Sequence, residues 1–373
     1  MSLSYHLDGP AGAPVLVLGN SLGTTVELWD RQMAAFTDHF RVLRFELPGH
    51  GGSPAPPGPY TIAGLAGSVL ALVDELGVDR FSYCGVSIGG MLGMWLAAHR
   101  PGRVDRLVLA ATAPVLGPPE AWTERVATVR REGTGVLVST LLERWLPGPY
   151  REAHPEVVAG VSAMIEGCDD EGYAGCCEAV AGMDQRPDLA SIQAPTLVVA
   201  GAEDPVTPPA ACLELAQAVP GAGLTCLPGA AHLANLPHPA RFADLVVDHV
   251  AGPPAARGMA VRRAVLGHAH VDRAAAGATA FSAPFQDLIT RYAWGEIWSR
   301  PALDHRTRSA VTLAMLVALG RTDELSFHVP AAVRNGLGPE EIREVLLQAA
   351  VYAGVPAARE AFLVAERLLD GEA

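Results

Sequence analysis

The chain has 373 residues, half of them hydrophobic, and a formal net charge of −13 at pH 7. That length allows two domains with cores of their own, and the acidity argues against a nucleic-acid partner. No lysine occurs among the 27 basic residues, which excludes lysine Schiff-base and pyridoxal chemistry and a Walker-type nucleotide loop.

In chain order, Pro14-Val-Leu-Val-Leu18 reads as a buried strand. The loop after it, Gly19-Asn-Ser-Leu-Gly23, offers the backbone N–H of Ser21 or Leu22 to an oxyanion. Pro48-Gly-His-Gly-Gly-Ser53 is a glycine-rich turn in which His50 reads as structural. Arg80 to Cys84 forms the next apolar run and leads into Gly85-Val86-Ser87-Ile88-Gly89, followed by a helical pattern from Met91 to Arg100. A serine between two glycines at a strand-to-helix turn is a nucleophile elbow, and the N–H of Ile88 becomes the second oxyanion donor.

Residues 115–185 then interrupt the strand pattern with helical stretches carrying Trp122, Arg125, Arg130, Arg131, Arg144 and Trp145. They are expected to form a lid over a pocket, with Trp122, Arg125 and Arg144 as substrate-binding candidates. Pro195 to Gly201 is a buried parallel strand that ends in a loop bearing Asp204, with Glu203 as the competing acid. Leu224 to Leu227 is another strand, and His232 lies in the loop after it; His238, between two prolines, is the competing histidine. A serine hydroxyl needs a base, and the base needs an orienting acid. The order Ser87, Asp204, His232 supplies both.

After a helix over 239–250, Ala251-Gly-Pro-Pro-Ala-Ala-Arg-Gly258 has the composition of a linker, assigned to 251–257. Strand signals stop there. Helical spacing follows in Phe285–Trp294, Arg308–Leu319, Pro339–Tyr352 and Ala357–Leu369, so residues 258–373 are expected to be a small all-α domain. Glu324 and His328 stand four apart, on one helical face, and suit a general acid/base pair in which the carboxylate raises the imidazole pKa. Pro330 falls inside the same helix and is expected to kink it. The acid excess is confined to the first part: residues 1–252 hold 14 Arg against 27 acids, and 253–373 hold 13 against 13. All six cysteines lie between Cys84 and Cys226 without a C-x-x-C pair, which supports neither a disulfide framework nor a metal site. No apolar run is long enough for a membrane span, and a cytoplasmic location is expected.

Residues 1–250 resemble the α/β-hydrolases with a helical lid. They are similar in particular to 3-oxoadipate enol-lactonases, through Gly19-Asn-Ser-Leu-Gly-Thr24 with Trp29, Leu47-Pro-Gly-His-Gly51 and Gly229-Ala-Ala-His-Leu-Ala-Asn235. Residues 258–373 resemble 4-carboxymuconolactone decarboxylases, through Gly258–Gly267, Phe285–Trp298 and Val351-Tyr-Ala-Gly-Val-Pro356. Gly338 departs from the usual capping threonine. The resemblances imply a bifunctional enzyme of protocatechuate degradation that decarboxylates 4-carboxymuconolactone and hydrolyses the resulting enol-lactone to 3-oxoadipate. They imply no cofactor, because the lactone ring is its own electron sink. His328 would be the proton donor with Glu324 its partner, Arg300 and Arg308 carboxylate anchors, and Glu296 and His305 weaker alternatives. An oligomeric ring through the second domain, a trimer or hexamer, is also implied. The alternative is a carboxylesterase or haloperoxidase carrying a helical oligomerisation module.

Overall fold

Short β-branched runs separated by amphipathic stretches produce one sheet in the first part of the chain and none in the second. The computed structural model describes residues 2–369, which divide into two compact units at Val250/Ala251.

In the first unit the order is β1 (Tyr5–Asp8), β2 (Val15–Gly19), α1 (Asp30–Thr37), β3 (Arg41–Phe45), α2 (Ile62–Glu75), β4 (Phe81–Val86), α3 (Ile88–His99) and β5 (Val104–Ala110). Five helices follow before the next strand: α4 (Pro119–Glu132), α5 (Val138–Trp145), α6 (Gly148–Ala153), α7 (Pro155–Glu166) and α8 (Asp170–Ala181). The unit closes with β6 (Thr196–Gly201), α9 (Pro209–Ala218), β7 (Gly223–Leu227) and α10 (Pro239–Ala251). The seven strands lie in the order β1-β3-β2-β4-β5-β6-β7. Only β1 runs antiparallel to its neighbour. Strands such as Leu16–Leu18 and Leu107–Ala110 are fully buried, as continuous apolar runs in a parallel sheet must be. The carboxyl ends of β2, β4, β6 and β7 therefore deliver their loops to one edge, where sites in such sheets form. β1, β3, β5 and α2 were not singled out in the sequence.

The second unit is helical: α11 (Pro254–Leu266), α12 (His268–Ala276), α13 (Ala283–Ile289), a π-helical segment Thr290–Trp298, α14 (His305–Ala318), α15 (Thr322–Arg334), α16 (Pro339–Ala353) and α17 (Val355–Leu369). Two apolar clusters organise it. One joins Leu313, Leu325, Ile342, Leu346 and Ala361; the other joins Val265, Leu266, Val271, Trp294 and Ala331.

Two expectations change. The linker assigned to 251–257 is almost entirely helical, because α10 runs through Ala251 and α11 begins at Pro254. Pro at a first helical position needs no N–H partner, so the proline pair starts a helix here and only Gly252-Pro253 separate the two. The stretch Phe285–Trp294 is not one α-helix: it passes into π geometry at Thr290. Pro330 lies inside α15, as expected. Gly338, lacking a capping side chain, is compensated by Glu341, whose carboxylate accepts the Gly338 N–H at 3.0 Å. No helix among the described residues is long and apolar enough to cross a membrane.

Candidate active site

Gly85 and Gly89 make the elbow sterically possible. A Cβ on Gly85 would sit 2.3 Å from the Gly89 carbonyl, and one on Gly89 would sit 2.3 Å from the Gly19 carbonyl. The chain thereby turns from β4 into α3 in one residue, holding Ser87 at φ 57°, ψ −120°. That strained conformation is fastened at both ends. The Ser87 N–H donates to the Ala110 carbonyl at 3.0 Å, and the Thr112 hydroxyl donates to the Ser87 carbonyl at 2.8 Å.

His232 Nε2 lies 2.9 Å from Ser87 Oγ, and His232 Nδ1 lies 2.9 Å from Asp204 Oδ2. An ionised carboxylate only accepts, so Nδ1 carries the proton and Nε2 presents its lone pair to the serine hydroxyl. Asp204 is itself held by the Val206 N–H at 2.7 Å and the Thr207 hydroxyl at 2.6 Å. Burial pushes its carboxyl up, but the hydrogen bonds from His232, Thr207 and Val206 prevail and hold it below its ordinary value. All three triad side chains are buried, whereas Glu203 and His238 are exposed. The His238 ring meets the Pro228 carbonyl. Leu22 lines the same cavity as Ser87, and Ile88 opens α3 directly after the serine; Ser21 adds a buried hydroxyl without a hydrogen-bond partner among the described residues.

These groups line a cavity of about 330 Å³ roofed by α4 and α5, with Trp122, Arg125, Arg144 and Trp145 in its wall. The Arg125 guanidinium lies 4.7 Å from the Trp122 ring centroid, a cation–π stack. Among the described residues neither Arg125 nor Arg144 has an acidic partner, while Arg130 is tied to Glu171 and Glu178 and Arg131 to Glu132. Two guanidinium groups without an acidic partner, at the wall of a cavity that holds a nucleophile, suit a substrate carrying a carboxylate.

Sequence reasoning missed the base of this site. Asn20 Nδ2 donates to the Phe45 carbonyl at 2.9 Å and Asn20 Oδ1 accepts from Trp29 Nε1 at 2.8 Å. Buried Glu46 accepts the Val26 N–H at 3.1 Å and Asn20 Nδ2 at 3.3 Å. Burial raises the Glu46 carboxyl to about 7. His50 Nε2 accepts the Gly23 N–H at 3.0 Å, while Nδ1 meets the Pro48 carbonyl at 2.9 Å. Its structural assignment thus includes bracing the oxyanion loop. The clue in the sequence was polar residues beside apolar strand ends, and it does not name their partners.

In the second unit the expected Glu324–His328 pair is not formed. Glu324 is exposed in the first turn of α15, and no hydrogen bond or ion pair joins it to His328 among the described residues. The His328 ring packs beside Phe327, centroids 5.0 Å apart. Burial, and then the charge of His270, lower His328 to about 4. The direction is opposite to that expected, because four-residue spacing selects a helix face but not its depth. Glu296 lies 3.5 Å from Arg257 Nη2. Arg308 donates to the carbonyls of Leu303 and Arg300, so it braces that loop, and Arg300 is exposed. His305 packs against Trp298 at 6.2 Å, and burial lowers its pKa. Among the described residues no group of three or more His, Cys, Asp or Glu is placed to hold a metal ion.

Family models divide the chain in the same way. That for the alpha/beta hydrolase fold matches residues 14–140, and that for the carboxymuconolactone decarboxylase family matches residues 283–367. The chain is 39% identical over 242 residues to 3-oxoadipate enol-lactonase 2 of Acinetobacter baylyi, covering 65% of this chain and 90% of that protein. It is 46% identical over 112 residues to the 4-carboxymuconolactone decarboxylase of the same organism, covering 30% of this chain and 84% of that protein. The crystal structure of the enol-lactonase from Burkholderia xenovorans LB400 superposes with a TM-score of 0.65 at 43% identity, covering 66% of this chain and 95% of that one. The chain belongs to the α/β-hydrolase family through its first unit and to the carboxymuconolactone decarboxylase family through its second.

Proposed function

We propose that this chain is a two-activity enzyme of protocatechuate degradation. Its second unit decarboxylates 4-carboxymuconolactone, and its first hydrolyses the product, 3-oxoadipate enol-lactone, to 3-oxoadipate. The observation that carries the reading is the assembled Ser87–His232–Asp204 triad in a cavity lined by Arg125 and Arg144, on the same chain as a decarboxylase-family unit. A carboxylesterase with a helical oligomerisation module would leave that second match without a role.

In hydrolysis, Arg144 and Arg125 hold the substrate carboxylate and set the lactone carbonyl over Ser87. His232 Nε2 takes the hydroxyl proton as Oγ attacks, and Asp204 stabilises the imidazolium. The N–H of Ile88 and that of Ser21 or Leu22 receive the oxyanion. The leaving group is an enol, which becomes a ketone, and water activated by His232 then frees the acyl group. In decarboxylation, the carbon–carboxylate bond breaks and its electron pair passes through the ring double bond to the lactone carbonyl. His328 delivers a proton to the ring carbon next to that carbonyl. No metal or organic electron sink is required.

We further assign self-association to the second unit. Of twenty exposed large hydrophobic residues among those described, fifteen lie there, including Phe281, Leu319, Val351, Tyr352 and Val355. An apolar surface of that density on a unit with equal numbers of arginines and acids is covered by symmetry mates. Light scattering on the full chain tests this, and a monomer at micromolar concentration would contradict it. The six cysteines are free thiols, in keeping with a cytoplasmic location. The deciding assay for the activity supplies 4-carboxymuconolactone and follows CO2 and 3-oxoadipate together. Release of CO2 without 3-oxoadipate, or neither product, would refute the two-activity reading.

A further inference from the structure

The described residues of the second unit gather one strongly basic concavity, where α11 gives way to α12 against the end of α15. Its volume is about 460 Å³, and Arg263, His268, His270, Arg273 and Arg334 line it. One carboxylate is bonded to this set, Asp272, at 2.7 Å from Arg263 Nη2. Arg334 donates Nη1 to the Val265 carbonyl at 3.2 Å. Arg273 has no ion-pair or hydrogen-bond partner among the described residues.

Residues 253–373 balance arginines against acids, 13 to 13. Three guanidinium groups and two imidazoles around one acid are therefore a local accumulation and not a consequence of composition. Held together without an anion they repel. His270 registers that repulsion: burial, then Arg273, Arg262 and Arg334, hold its pKa below the ordinary value. The first turn of α12 also opens here. Val271 N–H bonds back to the Gly267 carbonyl at 3.2 Å, so the preceding N–H groups at this helix start lack intrahelical acceptors.

The hollow is connected to His328. The His270 ring lies 5.1 Å from Phe327, which lies 5.0 Å from His328. His270, and not Glu324, is the ionisable neighbour that His328 senses.

We infer that this hollow is the carboxylate-binding subsite of the decarboxylation site: it takes a dianion whose two carboxylates sit on neighbouring carbons, anchored by Arg273 and Arg334, with His270 bridging the anchors to His328. The inference rests on the decarboxylase reading above, whose substrate carries one carboxylate on the ring carbon and another on its acetate arm. An arriving dianion reverses the local repulsion and favours protonation of both histidines. The substrate thus brings with it the charge that makes His328 an acid.

The test uses the full-length protein and two probes, succinate as the vicinal dicarboxylate and propionate as the monocarboxylate. Arg273 and Arg334 are exposed, so Arg273→Gln and Arg334→Gln are expected to fold, which thermal unfolding checks. Succinate should move the ring-proton signals of His270 and His328 and raise their titration midpoints, and propionate should do so far more weakly. Each variant should weaken succinate binding and raise the decarboxylation KM by about tenfold, with kcat changed less than about threefold. Hydrolysis of added enol-lactone should be unaffected. A wild type that decarboxylates while its histidine signals ignore succinate would overturn the subsite, as would variants with wild-type KM. A wild type that does not decarboxylate yet binds succinate through these arginines would refute the activity reading and uphold the subsite.

Discussion

The two units solve opposite problems. Around Ser87 the catalytic groups already hold one another: His232 on Asp204, Asp204 on Thr207, the oxyanion loop on His50 and Glu46. Around His328 no such network forms among the described residues, and the basic hollow beside it has one acid for five basic side chains. The difference follows from the chemistry. Attack by a hydroxyl requires a nucleophile, base and oxyanion donors fixed before substrate arrives. In decarboxylation the lactone ring supplies the electron sink, so the protein has only to hold carboxylates and place one proton. Such a site is completed by its ligand.

The sharpest way to break this comparison is Ser87→Ala. Hydrolysis should fall by more than ~10³-fold, because among the described residues Ser87 carries the hydroxyl held against His232 Nε2. Decarboxylation should persist, so enol-lactone accumulates when 4-carboxymuconolactone is supplied. Loss of both activities in a folded protein would show that the units do not work independently.

His328→Ala should lower decarboxylation by about 10²–10⁴-fold, the usual worth of a positioned acid, and leave hydrolysis of added enol-lactone intact. Glu324→Gln should change decarboxylation by less than about twofold, since no contact joins the two side chains. If both variants lose activity equally, the pair forms during turnover and the ligand-completed picture fails at this point. The same picture fixes a pH trend. His328 sits at about 4 in the free protein, and burial is the first cause. Dianion binding raises that value, so binding takes up a proton. The decarboxylation KM should then fall as pH is lowered from neutrality toward 5.

The contrast between the units also explains what the sequence disclosed. The elbow, triad and oxyanion loop were legible because each is a local strand-to-loop pattern in a fixed chain order. Gly85 and Gly89 announce themselves because no other residue fits. The second unit's chemistry was less legible for two reasons. Spacing placed Glu324 and His328 on one helix but said nothing of depth. The hollow draws on α11, α12 and α15, and no short pattern links Arg263, His270 and Arg334. Proline chemistry misled at 251–257, where Pro253-Pro254 opens α11 rather than relaxing the chain. The Asn20–Glu46 contact, across 26 positions of sequence, needed the sheet register to bring it together.

Arg144→Gln probes whether the first unit, too, leaves something for its ligand to complete. Arg144 lines the serine cavity without an acidic partner among the described residues, so the enol-lactone KM should rise about tenfold with kcat little changed. A neutral ester lacking the carboxylate should show no such effect. An unchanged KM for the lactone would move the anchoring role to Arg125.

The smallest effect at neutral pH, and the most specific to the preassembled site, belongs to His50. Its Nδ1–H meets the Pro48 carbonyl and its Nε2 accepts from Gly23, so only the neutral ring fits. The ring stacks on Tyr173 at 6.2 Å. Burial lowers its pKa to about 4, despite the Pro48 carbonyl and the charge of Asp169, which act the other way. The unfolded chain takes up this proton near pH 6.5 and the folded one does not. His50 therefore leaves stability untouched above about pH 6.5 and removes it progressively as pH falls toward 4, by roughly 3 kcal/mol in all. Below that range the protonated ring repels the Gly23 N–H and releases the loop that carries the Leu22 donor. Thermal unfolding of the first unit should show this acid loss, with hydrolytic kcat falling alongside it while substrate KM changes little. His50→Gln should flatten the acid slope, because an amide oxygen still accepts from Gly23 and does not titrate. A variant whose acid slope matches wild type would assign the loss to another group and leave His50 a packing residue.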